Sequence, residues 1–396
     1  VAFNQEKSKI QVSRFTFLPS GFWPRGGNRF FLAFILVLSL TGLFTGFLLS
    51  SFTEASASTD VNIADSKMRL VKTITGNIAP KSVRASSNGL ISAQNMMYRH
   101  SVTIYDAKNL ELKATIPDTV DLNKFGFRKS QTFVKGSPVE GAFSSDDQYL
   151  YVTNYAMYGK GFNREGTDKC SPKDKYDRSF LYRINTTTFD IDAIYRVGVV
   201  PKVVEITPDN RFALVSNWCS YDLTVISLEE QRPIRTIPIG AYPRGIAVTN
   251  DSKFAFVAQM GGSLIHKVNL MDFSKSVINV GANPRALQIS ADNKILFATL
   301  NVSGQVIAVD LEREKVVKRI KTGEAARSLA LSSDGSALFV VNYNSDTLAK
   351  VRVSDFKILQ KIKVCDRPIG ITYEKSMNQT WVACYGGSIK VYSNIK

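Results

Sequence analysis

Pro243-Arg244-Gly245-Ile246-Ala247-Val248-Thr249, a turn at Asn250-Asp251-Ser252, Phe254-Ala255-Phe256-Val257-Ala258-Gln259, a break at Gly261-Gly262-Ser263, Leu264 to Leu270, and Ser276 to Val280 before Gly281 form one unit. Four short apolar runs are separated by turn residues, which is the pattern of four strands. The unit recurs. With the proline as marker, later units start at Pro284, Ala326 and Pro368, and earlier ones at Pro201, Pro138 and Pro80. The later starts lie 41 to 42 residues apart, within the roughly 40 to 45 expected of a propeller blade. Seven starts predict an all-β, seven-bladed β-propeller of four-stranded blades.

Runs such as Phe254 to Ala258 and Leu338 to Val341 are apolar at successive positions, so both sheet faces need cover and a lone blade cannot supply it. Asp146, Asp209, Asp251, Asp292 and Asp334 recur at one place in the turn after the first strand, where turn chemistry accounts for them. The last blade has only three strands of its own, ending with Ser388 to Tyr392. Met68 to Ile74 matches the fourth strand of the other units, so the N-terminal strand is expected to close the ring and remove a free edge.

Val152-Thr153-Asn154-Tyr155 and Val341-Asn342-Tyr343, with the Pro243 to Val248 run, resemble the YVTN-repeat family of β-propellers of surface-layer and periplasmic proteins. The likeness covers about Met68 to Lys396. It implies functions ranging from surface structure to small-molecule enzymes and nucleic-acid binding, among which a fold does not choose.

The full chain has 396 residues and a net charge of +16. Residues 1–29 hold Lys7, Lys9, Arg14, Arg25 and Arg29 against Glu6, a local balance of +4 (five minus one). Residues 30–52 carry no charge, and roughly 20 apolar residues suffice to span a bilayer as a helix. Basic residues before the span and acids after it (Glu54, Asp60) place the N-terminus in the cytoplasm and the propeller, residues 68–396, outside the inner membrane. Ala55-Ser56-Ala57 supports the competing reading, a cleaved signal peptide, but the apolar run exceeds a typical h-region. Gly42 and Gly46 form a small-residue pair suited to helix packing, and residues 53–67 read as a linker.

Two departures from the repeat, Pro117 to Ser137 and Ala156 to Ser179, fall on one face of the ring, called here the upper face; loops this long are usually functional or disordered. They carry Phe125, Phe127, Arg128 and Arg164 among other aromatic and basic residues. On the same face, Lys81, Lys202, Arg244, Arg285 and Arg327 occupy the position after the marker in five blades, and Tyr155, Trp218, Tyr343 and Tyr385 the position past the second strand. Such a ring suits an acidic ligand through focused potential; the bland alternative is hydrogen bonding of Arg to backbone carbonyls. The charge left to linker and propeller, +12 (16 minus 4), favours anionic partners: envelope polymers, lipid head groups, acidic proteins or, less readily outside a cell, single-stranded nucleic acid.

Four cysteines allow two disulfides, Cys170 with Cys219 and Cys365 with Cys384, with a buried thiol at Cys384 as the other possibility. No cysteine or histidine spacing suggests a metal, no cofactor motif is present, and the two histidines fall in unrelated blades. Glu140 and Glu205 on first strands keep a lactonase-like or quinoprotein-like enzyme open, but no catalytic set is recognisable. The expectation is a membrane-anchored envelope protein whose propeller is a non-catalytic platform for another envelope protein or an acidic ligand.

Overall fold

The computed structural model describes residues 62–96, 98–127, 133–156 and 169–395. The expected basic head, the apolar span with Gly42 and Gly46, and Arg128 and Arg164 lie outside them. No helix among the described residues is long and apolar enough to cross a membrane.

The strands assemble into seven antiparallel blades, and each blade from three to six is a consecutive run of four, as in Pro243–Val248, Phe254–Gln259, Leu264–Asn269 and Lys275–Asn279. Second strands alternate strictly. Ala255 and Val257 join the apolar cluster shared with blade three, while Phe256 and Ala258 join the one shared with blade five. Successive strand residues point to opposite faces, so each second strand serves two interfaces at once. Phe256, Phe297, Phe339 and Trp381 repeat this role, each almost fully buried against the following blade. One apolar cluster fills each junction right round the ring. The core is therefore a circle, and the axis is left for polar side chains.

The turn aspartates brace the lower face. Ser144, Thr207, Thr249, Ser290 and Ser332 each donate a hydroxyl hydrogen bond to the aspartate two residues on. Neighbouring turns are linked as well: the Ser145 amide donates to Asn210 Oδ1 at 2.8 Å, that of Asp209 to Ser252 Oγ at 3.1 Å, and that of Asn250 to Asn293 Oδ1 at 2.8 Å.

Closure follows the expected route. Lys67–Ile74 pairs antiparallel with Ser388–Ile395, with Met68 opposite Asn394 and Ile74 opposite Ile389, completing the blade of Pro368–Glu374 and Gln379–Cys384. The expected linker is corrected at its end, because residues 62–67 are folded. A 3-10 turn at Ile63–Asp65 docks on blade six: the Ile63 amide donates to Asp334 Oδ2 at 2.8 Å, the Ala64 amide to Ser336 Oγ at 3.0 Å, and the buried Lys350 Nζ to the Ser66 carbonyl at 2.8 Å. Sequence pattern missed this clasp because three residues are too few to show a period. Blade two also departs from expectation, for Thr119–Asp121 adds a fifth strand beside Phe133–Lys135 at the start of its long first strand.

Met68 is buried in the cluster that joins blades six and seven. Met68→Ala should lower the unfolding free energy by about 2–5 kcal/mol, read from the urea midpoint, with a fully wild-type midpoint denying that the closing strand stabilises the ring.

Candidate functional site

The site starts from a backbone device at the head of the first strand. Val200, Tyr242, Asn283, Ala325 and Arg367, each just before the marker, have φ between 51° and 59°. Left-handed backbone is costly for a residue with a Cβ, more so for a β-branched one, so the repeat of this geometry in five blades marks a turn that the fold enforces. A register shift follows immediately after the marker, between Pro201 and Val203, Pro243 and Ile246, Pro284 and Leu287, and Ala326 and Ser328. Such bulges re-aim side chains. In blade four the bulge contains Gly245, where an added Cβ would lie 2.3 Å from the Arg285 carbonyl oxygen, so glycine lets the neighbouring backbone approach.

The residue delivered by this device is the cation of the expected ring. Lys81, Lys202, Arg244 and Arg285 are buried, and Arg327 is half-buried. The Lys202 amine lies 4.6 Å from the Tyr155 ring centre and 5.3 Å from that of Trp218, and the Arg327 guanidinium lies 4.1 Å from Tyr343. Burial holds the Lys202 pKa well below the usual lysine value, and Arg244, Lys81, Arg285 and Arg327 push it further down. Cations from five blades thus act on one another. Tyr385 contacts Tyr343 edge-on at 6.2 Å. In the other two blades the same position holds buried Val139 and Ile369, so in ring order the cations run through blades three to six and recur in blade one, where Lys81 still acts on Lys202.

Backbone bonding to this position is real as well. Its carbonyl accepts from the preceding blade: from Ser82 at Val139, Ser216 at Arg244, the Arg285 guanidinium at Arg327, and Ser328 at Ile369. The position thus latches one blade to the next through its backbone.

Below the arc lies a polar cavity of about 250 Å³. Two ion pairs cross it, each skipping a blade: Arg84 to Glu205 at 2.6 Å and Arg244 to Glu140 at 3.6 Å. Burial pushes the Glu205 carboxyl up against the pull of Arg84, and Glu205 chiefly holds the Arg84 guanidinium above its usual value. Arg84 was missed as a site residue, although it occupies the same place in blade one as Glu205 in blade three, a match that alignment of the repeats would have exposed.

The two insertions leave the ring side by side, since Gly136 pairs with Ala156 across the first two strands of blade two. Phe125 and Phe127 fold inward rather than toward the ring. Phe127 packs edge-on to Phe180 at 5.3 Å beneath the Arg196 guanidinium, in a small cluster with Val120, Leu122 and Val134. Among the described residues, the large exposed aromatics are Tyr98 and Phe133, 68% and 63% accessible. Cys170 and Cys219 form a disulfide with Cα atoms 5.3 Å apart, inside a cluster with Tyr155 and Trp218; Cys365 and Cys384 form another at 6.1 Å. The first fastens the end of the second insertion to the Lys202 platform.

Among the described residues no group of histidine, cysteine or acid side chains could hold a metal ion. His266 Nε2 donates to Gln259 Oε1 at 3.0 Å, and burial lowers its pKa to about 4, so the ring is neutral.

No protein-family model matches the chain. A 152-residue stretch is 28% identical to antigen Lp49 of Leptospira interrogans, covering 36% of this chain. The chain spans about a third of the length of that relative. Among solved structures, a chain of hydrazine synthase from Kuenenia stuttgartiensis matches with a TM-score of 0.64 at 14% identity, over 82% of this chain and 98% of that one. That likeness is one of fold.

Three outcomes test this geometry. Replacing Cys170 and Cys219 with serine should cost about 2–4 kcal/mol in chemical denaturation without reductant, and an unchanged midpoint would deny that this bond stabilises the fold. Glu205→Gln should cost about 1–3 kcal/mol, between the surface and buried limits because the Arg84 side chain is 34% exposed, and Arg84→Met with Glu205→Leu should recover most of it. Ala325→Gly should gain about 0.5–1 kcal/mol by relieving left-handed backbone; a loss would mean that the half-buried methyl matters more.

Proposed function

We propose that the chain is a non-catalytic binding platform of the cell envelope, whose upper face docks another envelope protein and whose N-terminal segment tethers it to the inner membrane. The carrying observation is the pair of insertions emerging side by side at Gly136 and Ala156, next to the cation arc and fastened by the Cys170–Cys219 disulfide. Long loops carry function when a rigid scaffold positions them. Exposed Tyr98 and Phe133 sit on the same rim and are the residue types that anchor interfaces.

The described chain enters the propeller at the opposite face. Ile63 is bonded to the lower-face turn at Asp334. Disulfide pairing suits an oxidising compartment, and a relative named as an antigen is in keeping with an envelope protein.

The tagged full chain, extracted in mild detergent, should retain one protein in fixed stoichiometry. Tyr98→Ser with Phe133→Ser should weaken that retention by about tenfold or more, as expected for aromatic interface anchors, without lowering the melting temperature. A chain that elutes alone, or a double variant that retains the partner equally, would remove this reading.

A further inference from the structure

The outer strands of the blades are unequally charged. Those of blades five, six and seven, Lys315–Lys321, Ile358–Lys363 and Lys67–Ile74, hold four, two and three lysines and arginines, nine in all, every one exposed, and no acid. The outer strands of the other four blades, Leu112–Pro117, Ile191–Arg196, Arg232–Pro238 and Lys275–Asn279, hold five cations and one acid. Lysine protects a free sheet edge against pairing, but every blade has such an edge, so protection alone does not account for the concentration on three of them.

The two groups also differ in what their cations do. On the sparsely charged blades Lys113 pairs with Asp106 at 3.7 Å and Arg232 with Glu230, while the guanidinium groups of Arg196 and Arg235 lie over the Phe180 and Phe273 rings at 4.6 and 5.5 Å. On blades five to seven none of the nine is in an ion pair among the described residues. Lys318 and Lys363 donate to the backbone carbonyls of Ser354 and Ser345, which leaves their charge in place. The acids in the adjoining turns are partly spent already, Glu314 on Lys267, Asp355 on Arg352 and Asp366 on Arg367.

Apolar side chains stand among these cations. The pairing of Lys67–Ile74 with its neighbour shifts register between Leu70 and Lys72, so Val71 is an extra residue, and such a bulge re-aims the strand. Arg69, Leu70, Val71 and Lys72 are all exposed as a result, Leu70 at 53% and Val71 at 49%, and Val317 on the outer strand of blade five is 44% exposed. An acidic polymer would satisfy the charge alone. A lipid surface satisfies both, since it offers anionic head groups to the cations and a less polar interface to the side chains between them. We propose that the outer edge of blades five to seven lies against a bilayer bearing anionic lipid, with its lysines and arginines on the head-group phosphates and Leu70 and Val71 in the interface. The proposal goes beyond docking at the upper face and shares with it only an envelope location.

The test is labelling of the full chain with a membrane-impermeant acetylating reagent, read lysine by lysine by mass spectrometry, after detergent is dialysed away in the presence of vesicles. On phosphatidylcholine with about 30% phosphatidylglycerol, labelling of Lys72, Lys321 and Lys361 should fall by about threefold or more relative to pure phosphatidylcholine, and high salt should restore it. Lys124 and Lys253, on other blades, should label alike on both lipids. Leu70→Ser with Val71→Ser, both exposed and so compatible with folding, should remove about half or more of the protection. Equal labelling on the two lipids, undiminished protection in the Leu70 and Val71 variant, or protection by soluble polyphosphate with none by the anionic vesicles each overturns the proposal. If the chain stays on phosphatidylcholine through an alkaline wash while its lysines label alike on both lipids, the tether stands and the lipid-facing edge falls. If it washes off phosphatidylcholine yet is protected on the anionic lipid, the edge stands and the tether falls.

Discussion

A blade of this chain cannot bury its own faces, and the whole structure answers that constraint. Each second strand sends alternate side chains to the blade before and the blade after, so the main apolar clusters lie between blades. An open row would leave one face bare at each end, and the row has to become a circle. The circle in turn needs a strand from the beginning of the described chain to pair with the end, and the clasp from Ile63 to Ser66 on blade six holds that strand in register. Lys350, buried among apolar residues, is tolerated because its ammonium finds the Ser66 carbonyl and hydroxyl; burial still lowers its pKa to about 8.

The same circular logic creates the site. With the apolar mass placed between blades, first strands line an axis too narrow for a core and open to polar side chains. Where neighbouring first strands come closest, one blade's side chain reaches the next blade's backbone carbonyl just after the marker. That carbonyl belongs to the residue that carries the cation in blades one and three to six. Latch and cationic side chain are thus two halves of one residue, and repeating the latch for stability also repeats the charge. Val139 and Ile369 show that the latch does not require the charge, since both carbonyls accept the same bond without it.

The number of blades, their order and the closing strand were legible because they depend on alternation and on repeat length, which a sequence displays directly. The cation ring was legible for the same reason, as a fixed offset from the marker. Other features were hidden for physical causes. The left-handed turn before the marker is filled by Val200, Tyr242, Asn283, Ala325 and Arg367, and apart from asparagine none of these types announces positive φ. The Arg84 to Glu205 pair joins blades that are not neighbours, a relation set by ring curvature and not by spacing. Phe125 and Phe127 read as display residues because a long insertion is polar on average, yet the insertion packs them against Phe180, Tyr182 and Ile194 of blade two.

The position of the insertions follows from the unequal duties of the two faces. Lower-face turns donate and accept hydrogen bonds across blade boundaries, from Ser87 to Asp147, Ser145 to Asn210, Asp209 to Ser252 and Asn250 to Asn293. Lengthening such a turn would move the very groups that brace its neighbour. At the upper face the bracing is done by strand residues at the channel, and the loop beyond the second strand can grow while those bonds stay in place. Added length there costs little, about 0.6 kcal/mol for each doubling of a flexible loop, and the Cys170–Cys219 bond removes part of the freedom that length creates. A ring built this way accepts elaboration on one face only, and that is the face to which its charged side chains are also directed.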